Sequence, residues 1–374
     1  MLAFALVLLS FGAGVGCIYL SRRFGFGVDS AFGTSPQKMH ASPTSRLGGV
    51  GIFVAFCVGY LWLWAYGGGN EGDWRGGIGV GVLSESLSSP SSSLPSSPLA
   101  GVFSGGSEAW GESIFIALGL SLVFVSGFLE DILGTLKPTL RLVIQICGVG
   151  LMLFVPIGVI QHLEPLVFLP LYWGVAFSVF GIVGVCNAIN IIDGLNGLAS
   201  GVAMLALGAI AFVSRDSGGV VFEFSLLALC GVAGFWVLNF PFGRIFLGDG
   251  GAYFLGALIG ILLGMLSNQG VSAWFGLSVM IYPVWEVVFS ILRRKLGGHK
   301  AMQPDGLHLH TLLYKRLGSN PLASMILLIV YGIYLALVLC FAREAWDFIL
   351  ASIGFVGLYS VGYFGLRRVG RVGA

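Results

Sequence analysis

The stretch CNAINIIDGLNGLASG, residues 186–201, places three asparagines and one aspartate between two long apolar runs. No lysine or arginine lies within it. Polar side chains beside membrane-length apolar runs are costly unless they pair with one another or face a water-filled cavity. The stretch therefore predicts a polar site at the ends of membrane helices.

The composition of the whole chain supports a membrane protein. Of its 374 residues 56% are hydrophobic and only 10% are charged, whereas a soluble domain carries roughly 25% charged residues. A membrane helix needs about 20 mostly apolar residues. We predict an all-α polytopic membrane protein with a single membrane-embedded domain over 1–374. About eleven spans are expected, at roughly 1–20, 47–66, 113–129, 139–158, 166–185, 198–214, 225–240, 251–267, 272–290, 323–341 and 347–366.

The positions of the basic residues predict the orientation. If the N-terminus is outside, sixteen of the nineteen lysines and arginines fall on the side that holds the C-terminus. Cytoplasmic segments carry such an excess, so the C-terminus is predicted to be cytoplasmic. Residues 67–112 form a Ser/Gly/Pro-rich tract that predicts a flexible external loop, and residues 291–322 form a predicted cytoplasmic histidine loop.

Further polar segments fall on the same predicted cytoplasmic face as residues 186–197. These are SGFLEDILGTLKPTLRL (126–142), NFPFGRIFLGDGGAYFLG (239–256), RRKLGGHKAMQPDGLHLHTLLYKR (293–316) and, more weakly, KMHASPTSRLGG (38–49). Carboxylates from three separate segments at one membrane face favour a hard cation such as Mg²⁺. Lysine, arginine and histidine side chains in the same segments would suit an anionic phosphate substrate.

Each motif also has a purely structural interpretation. Asn190 and Asp193 could cap the following helix, Asp249 could be a turn residue, Asp131 a solvated helix end, and His308 a surface residue. The structural interpretation would have to apply independently to every segment on one face. The combined pattern therefore favours a functional site.

The ordered blocks KMHASPTSRLGG, FLEDILGTLKPTLRL, NAINIIDGLNGLASG, FLGDGGAYFLG and PDGLHLHTLLYKR lie between Lys38 and Arg316. Together they resemble the polyprenyl-phosphate N-acetylhexosamine-1-phosphate transferases of glycosyltransferase family 4. The resemblance is stronger to the initiators of O-antigen and common antigen than to the peptidoglycan enzyme. It implies an Mg-dependent transfer of HexNAc-1-phosphate from a UDP-HexNAc to undecaprenyl phosphate, with release of UMP.

The resemblance also implies roles for individual residues. It places Asp131, Glu130 and Asp193 in catalysis and Asp249, with Asp193, at the metal, which is Mg²⁺ with Mn²⁺ as an alternative. Two positions depart from the family pattern, because Glu130 stands where an aspartate is usual and Asn196 replaces the second aspartate of DGLDG. The implied substrate-binding residues are Lys137, Asn187, Asn190, Asn196, Arg244, His308 and His310.

The implied partners are UDP-HexNAc, undecaprenyl phosphate and membrane lipid, with no nucleic acid and with a homodimer suggested by the family. The implied location is the bacterial inner membrane, with the site facing the cytoplasm, at the first membrane step of cell-surface polysaccharide synthesis such as lipopolysaccharide. An alternative is a transporter or flippase for a lipid-linked or anionic solute, which would place ionisable residues near the membrane midplane, commonly with inverted repeats. The donor sugar, and the choice between direct attack and an aspartyl-phosphate intermediate, remain open.

Overall fold

The computed structural model describes residues 1–29, 43–66, 106–298 and 306–372. Within these ranges the helices are α1 (Leu2–Phe24), α2 (Gly48–Tyr66), α3 (Gly106–Leu133), α4 (Pro138–Met152), α5 (Leu171–Ile192), α6 (Leu198–Ser214), α7 (Gly219–Asn239), α8 (Gly248–Asn268), α9 (Ala273–Leu296), α10 (Leu309–Leu317), α11 (Asn320–Phe341) and α12 (Ala345–Val372). Four two-residue strands form two antiparallel pairs: β1 (Val28–Asp29) with β2 (Thr44–Ser45), and β3 (His162–Leu163) with β4 (Val167–Phe168).

Every predicted apolar run falls on a helix, so the prediction of an all-α polytopic membrane protein is confirmed. In the described part of the chain, nine helices are long and apolar enough to cross a membrane. Two more, α4 and α6, are apolar but have only 15 and 17 residues. The count of eleven spans and the orientation stay predictions.

Several helix boundaries differ from the prediction: α4 ends at Met152 rather than near 158, and α7 begins at Gly219 rather than near 225. The predicted span 166–185 begins later, because β3 and β4 form a hairpin before it, and it continues to Ile192. Asn187 therefore lies inside α5, where its amide donates to the Val183 carbonyl at 2.8 Å and to Gln145 Oε1 at 3.0 Å. In the predicted external loop, residues 106–112 belong to α3, and 67–105 lie outside the described residues.

Helix α8 lies at the centre of the bundle. All residues in its most apolar 18-residue window are buried inside the protein, and α2, α3, α5, α6, α7 and α9 pack around it. The outer helices instead expose large apolar side chains such as Phe4, Tyr172 and Ile329, as lipid-facing surfaces do. The first turn of α8 is therefore held by protein on all sides.

Glycines on α8 allow α5 to approach it closely. A Cβ added at Gly256 would lie 2.4 Å from the Cys186 Cα of α5, and one at Gly260 would lie 3.1 Å from the Ile182 side chain. Small residues four positions apart allow this kind of close contact between membrane helices. The contact brings the C-terminal end of α5, with Asn190, alongside the N-terminal end of α8.

We expect Gly256→Ala to destabilise the protein by about 1–3 kcal/mol, because the new methyl group would overlap the backbone of α5. The measurement is thermal unfolding of the purified protein in detergent. Gly181→Ala is the matched control, since a Cβ at this α5 position meets no atom within 4 Å. Equal unfolding temperatures for the two variants would contradict the close packing described here.

Candidate active site

Three carboxylates predicted from separate segments meet at one end of the bundle. Asp131 lies near the C-terminal end of α3, Asp193 directly follows α5, and Asp249 lies in the first turn of α8. Asn190, in the last turn of α5, donates to Asp249 Oδ1 at 2.9 Å. The predicted convergence of these segments is therefore present in the fold.

The Asp131 carboxylate caps the N-terminus of α8. Only 6% of the residue is exposed, and its two oxygens accept hydrogen bonds from the backbone N–H groups of Asp249 and Gly250, each at 2.9 Å. The first N–H groups of a helix have no partner within the helix, and a carboxylate there also interacts favourably with the helix dipole. Asp131 is thus a buried tertiary cap rather than a solvated helix end.

Asp249 is held by two arginines. Its Oδ2 accepts from Arg141 Nη1 and, at 3.4 Å, from the Tyr253 hydroxyl. Its Oδ1 lies 3.4 Å from Arg46 Nη2, and Arg46 Nε lies 3.7 Å from Asp131 Oδ1. Charge-assisted hydrogen bonds of this kind offset the cost of burying carboxylates. Asp249 is therefore a fixed helical residue, and the turn interpretation is wrong.

Asp193 has the fewest hydrogen-bond partners of the three carboxylates. It is half-buried, and among the described residues no group donates a hydrogen bond to its carboxylate. Burial and the neighbouring Asp249 raise the pKa of Asp193 to about 7, while Arg46 acts in the opposite direction. A cation near Asp193 would favour its ionised form.

The carboxylates provide a small set of oxygen donors for a metal ion. The described part of the chain contains no group of three or more His, Cys, Asp or Glu side chains arranged to hold an ion. Magnesium commonly takes only one or two protein carboxylates, together with substrate phosphates and water. Asp193 and Asp249 are neighbouring oxygen donors from two segments, so their chemistry fits such a site.

His308 and His310 are both buried, each with 3% exposure. His308 is in extended conformation just before α10 and His310 is in its first turn, so both rings point inward and stack with centroids 5.3 Å apart. A Cβ at Gly194 would lie 2.7 Å from His310 Nε2, which places the ring against the residue after Asp193. Burial lowers the pKa of His310 to about 4, so this ring is neutral at pH 7.

Other predicted residues surround the cluster without joining it. Glu130 Oε2 accepts from the Leu136 N–H at 2.8 Å, and Asn196 donates to the Pro241 carbonyl at 3.0 Å. Lys137 and Arg244 are exposed, and among the described residues neither contacts the three carboxylates. Asn187 bonds to Gln145 as described above. Lys38, His40, Lys300 and Asp305, which the polar segments include, lie outside the described residues.

Sequence reasoning did not identify Arg46 and Arg141 as members of the site. Arg141 was counted among the charges that predict the orientation and within the polar segment 126–142, and Arg46 within the weaker segment 38–49, and neither was given a role. The sequence contained one indication of where Arg141 lies. Pro138 favours a helix start, and α4 does begin there, so Arg141 lies in the first turn of α4. The aspartates of the site with which the two arginines pair lie more than 80 residues away, so this pairing could not be read from local sequence.

The fold and the site define a polytopic membrane protein with an acidic, arginine-lined site at one end of its helices. Residues 113–267 match the family model described as glycosyl transferase family 4. This match and the relatives below support the resemblance to that family, the polyprenyl-phosphate N-acetylhexosamine-1-phosphate transferases, that the sequence blocks indicate.

The relatives include a protein of Bacillus subtilis named "Probable undecaprenyl-phosphate N-acetylglucosaminyl 1-phosphate transferase", 30% identical over 57% of this chain and 61% of its own length. The decaprenyl-phosphate N-acetylglucosaminephosphotransferase of Mycolicibacterium smegmatis is 28% identical over 36% of this chain and 39% of its length. The phospho-N-acetylmuramoyl-pentapeptide-transferase of Moorella thermoacetica is 32% identical over 30% and 36%, respectively. The matches thus span between about a third and three fifths of these relatives.

We expect Asp131→Asn to destabilise the protein by about 1–3 kcal/mol, because the amide leaves one N–H group of α8 facing another donor in a buried site. Thermal unfolding in detergent measures the change. Glu130→Gln is the matched control, since its side chain accepts one backbone bond at a half-buried position and should cost less. Unchanged unfolding of Asp131→Asn with a loss of activity would contradict the capping role and favour a direct catalytic one.

Proposed function

We propose that this protein transfers HexNAc-1-phosphate from a UDP-HexNAc donor to undecaprenyl phosphate, giving undecaprenyl-diphosphate-HexNAc and UMP. The observation that carries the proposal is the convergence of Asp131, Asp193 and Asp249 with Arg46 and Arg141 at one end of an apolar bundle. The relatives described above bear names of polyprenyl-phosphate sugar-phosphate transferases, which supports the same reaction class.

The reaction brings two anions together. A phosphate oxygen of the lipid attacks the sugar-side phosphorus of the donor, and the bond from this phosphorus to the bridging oxygen breaks, so that UMP leaves. Such phosphoryl transfers depend mainly on positioning and on neutralising charge. Arg46 and Arg141 supply fixed positive charge at the cluster, and the phosphate monoester of the lipid is largely ionised at neutral pH (its second pKa is about 6).

Asp193 and Asp249 are the residues that would hold Mg²⁺, or Mn²⁺, beside the donor diphosphate. When bound, the ion supplies charge neutralisation for the phosphate oxygens. Asp131 has both oxygens committed to the backbone of α8, so we assign it the positioning of Asp249 and Arg46. His308 and His310, next to Gly194, are assigned to hold phosphate or sugar oxygens of the substrates.

The location of the site agrees with these substrates. The helix ends that form it belong to the side on which the positive-inside rule places the cytoplasm, where UDP-sugars are available and where a lipid phosphate lies at headgroup level. We propose a bacterial inner-membrane enzyme that acts at the first membrane step of cell-surface polysaccharide synthesis.

The activity is tested by UMP release from membranes that contain the protein, supplied with undecaprenyl phosphate, Mg²⁺ and each of several UDP-HexNAc donors.

We expect Asp249→Asn to lower turnover by about 100-fold or more, because the charge on a group central to the site is lost. Asp216→Asn is the matched control, since Asp216 is exposed and pairs only with its neighbour Arg215 among the described residues. Turnover by Asp249→Asn at the wild-type rate would refute its assignment. Solute transport without any sugar-phosphate transfer would favour a transporter.

We expect chelation of divalent cations to reduce UMP release to background and added Mg²⁺ to restore it, with Mn²⁺ as a second ion to try. The reason is that Asp193 and Asp249 offer oxygen donors suited to these ions. Chelator already saturated with Mg²⁺ is the control for effects of the chelator itself. Full turnover in excess free chelator would show that the reaction needs no divalent ion.

A further inference from the structure

Helix α9 carries a buried carboxylate that the carboxylate cluster does not include. Glu286 is fully buried, and its Oε1 lies 3.0 Å from His308 Nδ1. The same oxygen accepts from the backbone N–H of Leu309 at 3.2 Å. Leu309 is the first residue of α10, so Glu286 binds both a histidine of the candidate site and the start of the helix that carries the other.

The contact with Glu286 determines which nitrogen of His308 bears the proton. An ionised carboxylate can only accept hydrogen bonds, so the Nδ1 atom facing it must carry hydrogen. The Nε2 atom of His308 is then the nitrogen available to a ligand, as in other sites where a carboxylate fixes the tautomer and orientation of an imidazole. Ser290 Oγ, 3.3 Å from the same Nδ1, adds a second contact on this side of the ring.

The surrounding helices fix Glu286 and the histidine segment relative to one another. Pro283 lies one turn before Glu286 in α9 and leaves the Val279 carbonyl without a helical N–H partner. The Tyr331 hydroxyl of α11 donates to this carbonyl. On the next turns of α9, Arg293 donates to the Leu307 carbonyl at 2.6 Å, which ties the segment before His308 to the same helix.

We propose that Glu286 is a positioning residue of the candidate active site. It holds His308 in the Nδ1–H tautomer, which leaves Nε2 as a hydrogen-bond acceptor for a hydroxyl group of the donor sugar. It also sets the start of α10 so that His310 lies against Gly194 beside Asp193. The role in turnover rests on the proposed function, whereas the tautomer of His308 can be measured without any activity.

The tautomer is tested by ¹⁵N nuclear magnetic resonance of the full protein in bilayers, with labelled histidine. The chain has only five histidines, and the spectrum of His308→Gln assigns the His308 signals by their loss. We expect a protonated Nδ1 in the wild-type protein and a partial shift of the proton to Nε2 in Glu286→Gln, because the neutral amide oxygen is a weaker acceptor than the carboxylate. An unprotonated Nδ1 in the wild-type protein would overturn the proposal.

The role in turnover is tested by a double-mutant cycle on UMP release. Glu286→Gln keeps an oxygen that can accept from Leu309, so α10 retains its cap, but it should lower kcat about 10- to 100-fold, the usual effect of removing a carboxylate behind a functional histidine. The KM for the donor should change much less. In the His308→Gln background the same change should have no further effect, because it acts through His308.

Glu223→Gln is the matched control, since Glu223 is also buried but lies in α7, where its Oε2 has no hydrogen-bond partner among the described residues. It should leave turnover unchanged. Independent, multiplicative losses from Glu286→Gln and His308→Gln would show that Glu286 does not act through His308 and would overturn the proposal. An inactive wild-type protein with a protonated His308 Nδ1 would refute the proposed function and leave the pairing in place.

Discussion

The buried carboxylate of Asp131 fixes the N-terminus of α8, and the arrangement of the site depends on this contact. Two backbone N–H groups of α8 find their partners only on α3, and Arg46, just before α2, partly neutralises the same carboxylate. A buried charge without such partners would be strongly destabilising. These contacts therefore hold the ends of α2, α3 and α8 together without a bound ligand.

The site is built from helix ends and from residues directly beside them, such as Arg46, Asp193 and His308. Asp131 and Asn190 come from C-terminal ends, while Arg141 and Asp249 come from first turns. This arrangement brings polar groups from helices that are otherwise apolar together at one end of the bundle, where their cost in a membrane is smaller than at its centre. The close packing of α5 on the glycines of α8 then sets the distance between Asn190 and Asp249.

The sequence predicted the helices well because the length of an apolar run is a local property. It also predicted that Asp131, Asp193 and Asp249 would share one face, since alternating spans return every second loop to the same side. It did not predict the partners of these residues, because Arg46 and Arg141 reach them only through tertiary packing. It ended α5 too early, since composition alone does not show that the amide of Asn187 is satisfied within a helix. Glu286 lies inside the predicted span 272–290, and a lone carboxylate in such a span was itself a signal that went unused.

The helices that pack around α8 also separate the first turn of α8 from the bilayer. In α1, α11 and α12 no more than 28% of the most apolar window is buried, so these helices face the acyl chains directly. A thicker or thinner bilayer acts on such exposed helices through tilting or local deformation of the lipid. Because protein surrounds α8, the first turn that carries Asp249 is shielded from these forces, and the position of Asp249 can stay constant while the lipid composition of the membrane varies.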